Sequence, residues 1–336
     1  MRTLAETALA LVDSGRGILA ADESIGTMSQ RLTAEGIAPT EENRRRYREL
    51  LLTPRGLSRM VSGIILCDET LRQQVATVDG NVAFPLAAKQ CGILPGIKVD
   101  AGTTSLAFGH GALVTEGLDG LRDRLAEYAD LGAAFAKWRA VIDVETATEH
   151  SIEVNAHALA RYAALCQEQG IVPIVEPEVL CAGAHDIGRC EEVTDRTLAA
   201  VFAQLRLQKV EPEAMVLKPN LVTPGTTGPS VTPSHVADAT LRVLERHVPS
   251  TVPGIAFLSG GHDNATACQY LAALNGIAVG APWRLTYSFG RALVSDALHA
   301  WGGEDANLSD AQATLLSNCA RAAAALEGAE PAPASA

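Results

Sequence analysis

Lys218, Glu176 and Glu178 are residues of this sequence whose types and positions could serve catalysis. Lys218 follows the apolar run AMVL and precedes a proline, and the two glutamates lie two residues apart in VPIVEPEV. Residues two apart on a strand face the same side, so these carboxyl groups share one face. A buried lysine beside other cations has a lowered pKa and can attack a carbonyl carbon as a neutral amine. The combination predicts Schiff-base chemistry with proton transfer by the carboxylates.

Lysine is scarce in this chain, which supports a chemical role for the lysines that are present. Of the 27 Lys and Arg residues only five are lysines, and Lys98, Lys137 and Lys218 lie in or at the end of candidate strands. An arginine cannot replace them as a nucleophile, because the pKa of guanidinium exceeds about 12. The spacing alone leaves all three lysines as alternatives for the reactive amine.

Other polar residues collect at the carboxyl ends of the predicted strands. Lys137 and Arg139 lie two apart and face one way. Two glycine-containing ends, SGG in FLSGGHDNA and Gly290 before Arg291 in SFGRA, would present backbone N–H groups before a helix, which is typical of anion sites. Glycines also serve plain turns, but the repeat at two neighbouring strands favours a phosphate site. The remaining groups of this kind are Asp22, Lys98, Asp100, Ser259, Gly260 and Gly261.

Eight apolar runs of strand length, separated by helical patterns, would position these residues. Several runs are continuously apolar, as is typical of parallel strands covered on both faces. The runs are GILAAD (17–22), GIILCD (63–68), LPGIKVD (94–100), FAKWRAVIDV (135–144), VPIVEPEV (172–179), AMVLKPN (214–220), GIAFLSGG (254–261) and WRLTYSFG (283–290).

The helical patterns have recognisable ends. Thr40 is the predicted N-cap of TEENRRRYRELL, and either Thr232 or Ser234 caps TPSHVADATLRVLERHV. LRDRLAEYADLG ends at Gly132 and HALARYAALCQEQG ends at Gly170. The N-terminal MRTLAETALALVDSG carries a glutamate in its apolar stretch and predicts an amphipathic helix rather than a signal peptide.

Alternating strands and helices imply parallel βαβ units, and eight of them predict a closed α/β barrel of the TIM-barrel, (β/α)8, type. The alternative is an open doubly wound sheet, but ADESIGT after the first run is not the GxGxxG of such folds. We therefore predict one catalytic domain over residues 1–325, with its strand ends on one face. The end EGAEPAPASA cannot pack into a core, so residues 326–336 are predicted to be a flexible tail.

Composition and charge narrow the function classes. The net charge of −12 repels polyanions, so we expect neither a nucleic-acid partner nor an anionic membrane surface. The seven cysteines show no disulfide framework and indicate free thiols in a reducing compartment, so we expect a cytoplasmic protein. Cys181, His185 and Cys190 are grouped in CAGAHDIGRC, but structural zinc sites are spaced more tightly, and two ordinary thiols in a loop are favoured.

Long segments of the sequence resemble the class I fructose-bisphosphate aldolase family. They follow one another in order from about residue 4 to about residue 325, with few gaps. The matching segments are GRGILAADES, TEENRRRYRELLLT, GIKVD, GLDGLRDRLAEYADLGAAFAKWR, QGIVPIVEPE, LKPNLVTPG, FLSGG and SFGRAL.

The resemblance implies metal-independent, reversible cleavage of fructose 1,6-bisphosphate to dihydroxyacetone phosphate and glyceraldehyde 3-phosphate, in glycolysis and gluconeogenesis. Lys218 would form the Schiff base with the C2 ketone. Glu176 and Glu178 would move protons during carbinolamine formation and dehydration, and Asp22 would act on the C4 hydroxyl. Lys137 would favour the neutral amine of Lys218 through its charge, with Arg139 supporting the same cluster.

The resemblance also implies two phosphate sites and no cofactor, since the imine supplies the electrophile that zinc supplies in the other aldolase class. Sugar phosphates would be the partners, and a homotetramer is typical of the family. The C1-phosphate site would comprise Ser259, Gly260, Gly261, Gly290 and Arg291, and the other phosphate would meet Lys98, Ser24 and Arg31.

Two departures from the family pattern bear on function. Gln30 stands where a lysine is common before Arg31, which should weaken the hold on the second phosphate. The chain ends in PAPASA where relatives carry a tyrosine that assists proton exchange on the enamine, so we expect slow exchange at C3 of dihydroxyacetone phosphate. Two alternatives stay open: a weakly catalytic scaffold or sugar-phosphate binder, and a Schiff-base lyase acting on another ketose phosphate.

Overall fold

Eight parallel strands close into a barrel in the computed structural model, which describes residues 2–13, 15–78 and 80–328. Around the barrel the strands run in the order β1–β8–β7–β6–β5–β4–β3–β2. The predicted (β/α)8 barrel is confirmed. The strands are β1 (Gly17–Ala21), β2 (Val61–Leu66), β3 (Leu94–Lys98), β4 (Phe135–Ile142), β5 (Val172–Val179), β6 (Val216–Leu217), β7 (Gly254–Phe257) and β8 (Arg284–Phe289).

Helices surround the barrel, and two short antiparallel hairpins extend from it. The hairpins pair Gln74–Thr77 with Gly80–Ala83 and Thr103–Ser105 with Leu113–Thr115. Each of the eight predicted apolar runs overlaps a barrel strand, and β2 begins at Val61, two residues before its run. The helices are α1 (Leu4–Leu11), α2 (Ile25–Ala34), α3 (Glu41–Leu52), α4 (Asp68–Arg72), α5 (Phe84–Gln90), α6 (Leu121–Asp130), α7 (Glu149–Glu168), α8 (Ile187–Leu207), α9 (Pro233–His247), α10 (Asn264–Ile277), α11 (Arg291–Trp301) and α12 (Leu308–Ala324).

The buried apolar residues form two clusters, one between strands and helices and one inside the barrel. The interior cluster fills the amino end of the barrel, where α1 contributes Ala8 and Leu11. Phe135 is its largest member, and a β-carbon at Gly96 would lie 2.2 Å from the Phe135 ring, so this position of β3 must be glycine. Because the amino end is closed by apolar packing, the carboxyl end is the open one.

Along a strand, every second residue faces the barrel interior, and these interior residues change from apolar to ionisable towards the carboxyl end. On β5, Val172 and Ile174 belong to the interior cluster, and the next residue on that face is Glu176. On β4, Phe135 is followed on the same face by Lys137. The barrel therefore holds its charges on the same face as its inner core, one layer nearer the carboxyl end.

Some of the predicted helix ends are confirmed and others are wrong. Thr40 caps α3, and Thr232, rather than Ser234, caps α9 by accepting from the His235 N–H. The helix predicted to begin at residue 157 begins at Glu149, with Thr148 and Ser151 forming a capping box. The ladder of β6 is limited to Val216–Leu217, because Pro219 has no N–H to donate.

The predicted tail falls largely outside the described residues. Residues 329–336 are not described, whereas Ala325–Glu327 form a short turn of 3-10 helix and Leu326 packs against the core. The division at residue 325 therefore stays a prediction. None of the helices within the described ranges is long and apolar enough to cross a membrane.

Candidate active site

A cleft of about 760 Å³ opens at the carboxyl end of the barrel. The sequence placed its candidate residues on seven different strands or the loops after them, and the structure brings all of them to this one cleft. Those lining it are Asp22, Ser24, Arg31, Lys98, Lys137, Arg139, Glu176, Glu178, Lys218, Ser259, Gly260, Gly261, Gly290 and Arg291.

Strand register places the ionisable residues side by side. Arg139 of β4 lies opposite Glu176 of β5, and Lys98, the last residue of β3, lies opposite Lys137. Leu217 of β6 pairs with Val175, which makes Lys218 and Glu176 the next neighbours in the same register. Lys137 and Arg139 stand early in β4 because they are level with the end of β3, and β4 continues past the mouth beside β5.

Ion pairs join four of these side chains in a row. Lys218 Nζ lies 3.2 Å from Glu176 Oε1, and Glu176 Oε2 lies 3.3 Å from Lys137 Nζ. Lys137 Nζ is also 2.7 Å from Asp22 Oδ2. Both lysine side chains and Glu176 are 95% or more buried, so these charges interact with little screening by water.

The row fixes the protonation of Asp22 and Lys137. Burial alone raises the pKa of Asp22, but the charges of Lys137, Lys218 and Lys98 outweigh it and lower that pKa to about 2. For Lys137, burial lowers the pKa, and the charges of Asp22 and Glu176 raise it by more, well above its ordinary value. At neutral pH Asp22 is therefore an anion and Lys137 a cation.

Two further pairs flank the row. Arg139 Nε donates to Glu178 Oε2; burial lowers the pKa of Arg139, and the Glu178 charge raises it by more. Lys98 Nζ lies 2.6 Å from Asp100 Oδ1 and donates to the Asp100 carbonyl at 2.7 Å. Asp100 also accepts from the Arg139 N–H at 3.3 Å, which ties the ends of β3 and β4 together.

The loops after β7 and β8 meet at one side of the cleft. Gly260 and Gly261 have φ angles of +59° and +90°, a region open to glycine and strained for other residues. Arg291 begins α11, and a β-carbon at Gly261 would lie 3.4 Å from its Nη2. Unpaired N–H groups at a helix start, a glycine turn and an arginine form a suitable cradle for a phosphate.

Helix α2 forms another side. Ser24 is its N-cap and accepts from the Thr27 N–H at 3.3 Å. Arg31 and Gln30 both line the cleft, and Arg31 Nη1 is paired with Glu23 Oε1. Within Ile25–Ala34 the sequence has a single cationic residue, Arg31, so α2 brings one positive side chain to the mouth.

Comparison with known proteins assigns this arrangement to a family. The family model described as "Fructose-bisphosphate aldolase class-I" matches residues 3–334. The chain belongs to the class I fructose-bisphosphate aldolase family. Its activity is accordingly that of a fructose-bisphosphate aldolase, a lyase that acts in glycolysis.

Relatives of this aldolase come from several kingdoms. It is 48% identical over 307 residues to cytosolic fructose-bisphosphate aldolase 6 of Arabidopsis thaliana, covering 91% of this chain and 85% of the relative. It is 51% identical over 301 residues to a probable class 1 aldolase of Xylella fastidiosa, covering 89% of each. The muscle-type aldolase of Lethenteron camtschaticum is 48% identical over 319 residues, covering 94% of this chain and 87% of that one.

A solved structure shares the whole fold. Fructose-bisphosphate aldolase of Plasmodium falciparum, solved with TRAP and a small-molecule inhibitor, is similar with a TM-score of 0.93. The two are 42% identical, and the match covers 97% of this chain and 94% of that one. The barrel and the surrounding helices therefore follow the aldolase arrangement.

Glu23, Thr27 and Ser288 are among the residues of this aldolase's cleft that were missed from the sequence. Glu23 follows Asp22 directly and was overlooked because its neighbour was the obvious acid; Thr27 follows in α2. The Ser288 hydroxyl is buried, lines the cleft and has no hydrogen-bond partner among the described residues. Its place two residues after Thr286, on the interior face of β8, was the available signal.

The thiols of the doubtful zinc motif have other neighbours. Cys181 donates to the Gly260 carbonyl, and Cys190 lies 3.9 Å from the Asn220 amide. Both are free cysteines, as the sequence indicated. Among the residues that the structure describes, no three His, Cys, Asp or Glu side chains are grouped as metal ligands would be.

Proposed function

We propose that Lys218 is the amine that forms the Schiff base with the ketose substrate of this aldolase. The observation that carries this is the buried row Lys218–Glu176–Lys137–Asp22, in which one carboxylate joins two lysines. Within the described residues Lys137 is paired with two carboxylates, and Lys98 is held twice by Asp100. Lys218 contacts one carboxylate oxygen among the described residues, so of the three cleft lysines it has the fewest acceptors around its nitrogen.

Glu176 is suited to move the protons of imine formation. Attack of the Lys218 amine on C2 gives a carbinolamine, whose hydroxyl must leave as water with an added proton. Glu176 Oε1 lies 3.2 Å from the Lys218 amine nitrogen, which would place it within reach of the amine and of the carbinolamine hydroxyl. Glu178 lies two residues on along β5, held by Arg139, and supports the second proton transfer.

Asp22 and Lys137 are proposed to act on the bond that breaks. The protonated imine draws electrons from the C3–C4 bond, and the C4 hydroxyl loses its proton as the aldehyde forms. Asp22, kept ionised by Lys137, accepts first the hydrogen bond and then the proton of that hydroxyl. Lys137 stays cationic throughout, held by Asp22 and Glu176.

The two sides of the cleft are proposed to hold the two phosphates. The C1 phosphate is assigned to the cradle of Ser259, Gly260, Gly261, Gly290 and Arg291. The other phosphate is assigned to Ser24, Arg31 and Lys98. Because Gln30 supplies no charge, we expect a weaker preference for the bisphosphate over a 1-phosphate than a lysine at position 30 would give.

We further propose a cytoplasmic homotetramer. Relatives named cytosolic, such as the Arabidopsis enzyme, support the location, and the family resemblance supports the assembly. Sedimentation of the purified protein tests the assembly, and a monomer or dimer at working concentrations would contradict it.

Cleavage assays on matched lysine variants test the assignment of Lys218. Lys218→Arg keeps the positive charge but cannot form an imine, so cleavage of fructose 1,6-bisphosphate should fall by more than about 10³-fold. Lys209→Arg makes the same exchange at an exposed site after α8 and should leave the rate unchanged. Retention of activity in Lys218→Arg, or complete loss in EDTA, would refute the proposal.

A further inference from the structure

Arg48 is a fully buried arginine that the catalytic scheme does not use. It projects from α3, and its side chain is 2% exposed. Its Nη1 lies 3.2 Å from the Met28 sulfur in α2, and its Nη2 donates to the Glu23 carbonyl at 3.2 Å. Burying a guanidinium costs free energy unless its charge is paired, so the carboxylate that pairs with Arg48 indicates what this arginine does.

Glu23 is that partner, and it is shared with the cleft. Glu23 Oε2 lies 2.9 Å from Arg48 Nη2, while Oε1 is paired with Arg31 Nη1. Glu23 and Arg31 line the cleft and Arg48 lies behind them. The three side chains form a line from the interior to the mouth: Arg48, Glu23, Arg31.

The charges of this line explain why an acid can stand in an anion site. Glu23 alone would cancel the attraction of Arg31 for a phosphate. Arg48 restores a net charge of +1, and it does so from a position that a substrate does not reach. The carboxylate is then free to fix the direction of Arg31 without making the site neutral.

We propose that Glu23 and Arg48 are positioning residues that hold the Arg31 guanidinium for the phosphate remote from the imine. This rests on the proposed placement of that phosphate at Arg31. With Gln30 beside it, Arg31 is the only cation that α2 offers, so its orientation decides how strongly a bisphosphate is distinguished from a 1-phosphate. Lys98, the other proposed cation, is already held by Asp100.

The variant Glu23→Gln separates positioning from simple charge. If charge alone mattered, removing an anion would favour the bisphosphate. The Glu23 carboxylate places one negatively charged oxygen near each of the two guanidinium groups, whereas an amide has one oxygen and an NH₂ group that cannot face the second guanidinium. Glu23→Gln therefore makes the net charge of the three side chains more positive by one but removes the carboxylate between the two arginines. A charge effect alone would raise the bisphosphate-to-1-phosphate ratio of kcat/KM, whereas a positioning role predicts that this ratio falls.

The experiment measures kcat/KM for fructose 1,6-bisphosphate and fructose 1-phosphate on the same protein sample. Their ratio does not depend on the fraction of enzyme that is folded. Glu23→Gln should lower the ratio by about tenfold, chiefly through the KM of the bisphosphate, because a misdirected charged hydrogen bond is lost. Arg48→Lys keeps the charge and should restore part of the preference lost in Arg48→Met.

Glu69→Gln is the matched control. Glu69 pairs with Arg44, one turn before Arg48 on α3, through two bonds of 2.6 and 2.7 Å, and its burial is similar. Neither residue lines the cleft, so the ratio should stay within about twofold of the parent value. A lowered ratio in this control would attribute the effect to a loosened α3 and overturn the proposal.

Arg31→Ala tests the placement of the second phosphate at Arg31 separately from the positioning role of Glu23 and Arg48. A lowered ratio in Arg31→Ala and in Glu23→Gln supports both. A lowered ratio in Arg31→Ala with an unchanged or raised ratio in Glu23→Gln overturns the positioning role and keeps the phosphate site. An unchanged ratio in Arg31→Ala overturns both.

Discussion

Asp22 should make fold stability depend on pH in a narrow acidic range. Its side chain is 13% exposed and lies 2.7 Å from Lys137, and its pKa falls from the ordinary 3.8 to about 2. A carboxyl group with a lowered folded pKa stabilises the fold above its unfolded pKa. That contribution is lost as the pH falls through the folded pKa.

The shift of somewhat under two pKa units corresponds to about 2 kcal/mol of unfolding free energy above pH 5. The contribution should fall to about 1 kcal/mol near pH 3 and nearly vanish near pH 2, where the carboxyl is half protonated. Lys137 does not make the unfolding free energy depend on pH in this acidic range. Its pKa is raised, so the stability that its pairing contributes is lost only as the pH rises above its ordinary pKa of 10.5.

Urea unfolding of the parent and Asp22→Asn, at one protein concentration and at steps from pH 7 to pH 3, measures this. The difference in unfolding free energy between the parent and Asp22→Asn should become smaller by about 1 kcal/mol from pH 7 to pH 3, since Asn cannot titrate. Asp186→Asn is the control: Asp186 caps α8 by accepting from the Arg189 N–H, and asparagine caps about as well. A difference for Asp22→Asn that stays constant or widens towards pH 3 would refute the reasoning.

Three further substitutions probe the cleft by steady-state kinetics. Glu176→Gln should lower kcat by about 10²-fold or more, because it removes the carboxylate that we propose as the proton carrier between the two lysines; a kcat near the parent value would contradict that role. Gln30→Lys should lower the KM for fructose 1,6-bisphosphate by about fivefold relative to fructose 1-phosphate, and an equal change for both would place residue 30 away from the second phosphate. Gly261→Ala should raise the KM of both substrates by about tenfold through strain at φ +90° and crowding of Arg291. Gly36→Ala, with φ +74° and open surroundings, should not raise it.

The barrel and most of its site could be predicted because each depends on local pattern. Continuous apolar runs gave the strands, and the alternation of Glu176 with Glu178 placed both on the interior face. Convergence at the mouth then follows from parallel topology, since all carboxyl ends of such strands meet on one side. Proposing Lys218 as the reactive amine needed the family resemblance, because spacing left three lysines as candidates.

What could not be predicted depends on distances across the fold. Nothing in the sequence links Arg48 to Glu23, since the two are joined only when α3 packs behind α2. The sharing of Glu176 between two lysines likewise depends on the register of three neighbouring strands. The start of α7 was missed because its first two turns carry few apolar residues, and a capping box at Thr148 fixes it instead.

Lys218 is proposed to form the covalent intermediate with the ketose. Reduction with borohydride in the presence of dihydroxyacetone phosphate converts an imine into a stable secondary amine, which peptide mass spectrometry can locate. We predict one adduct per chain, on Lys218, with its yield abolished in Lys218→Arg. An adduct on Lys98 or Lys137 in the parent protein, or none on Lys218 while cleavage proceeds, would contradict the account.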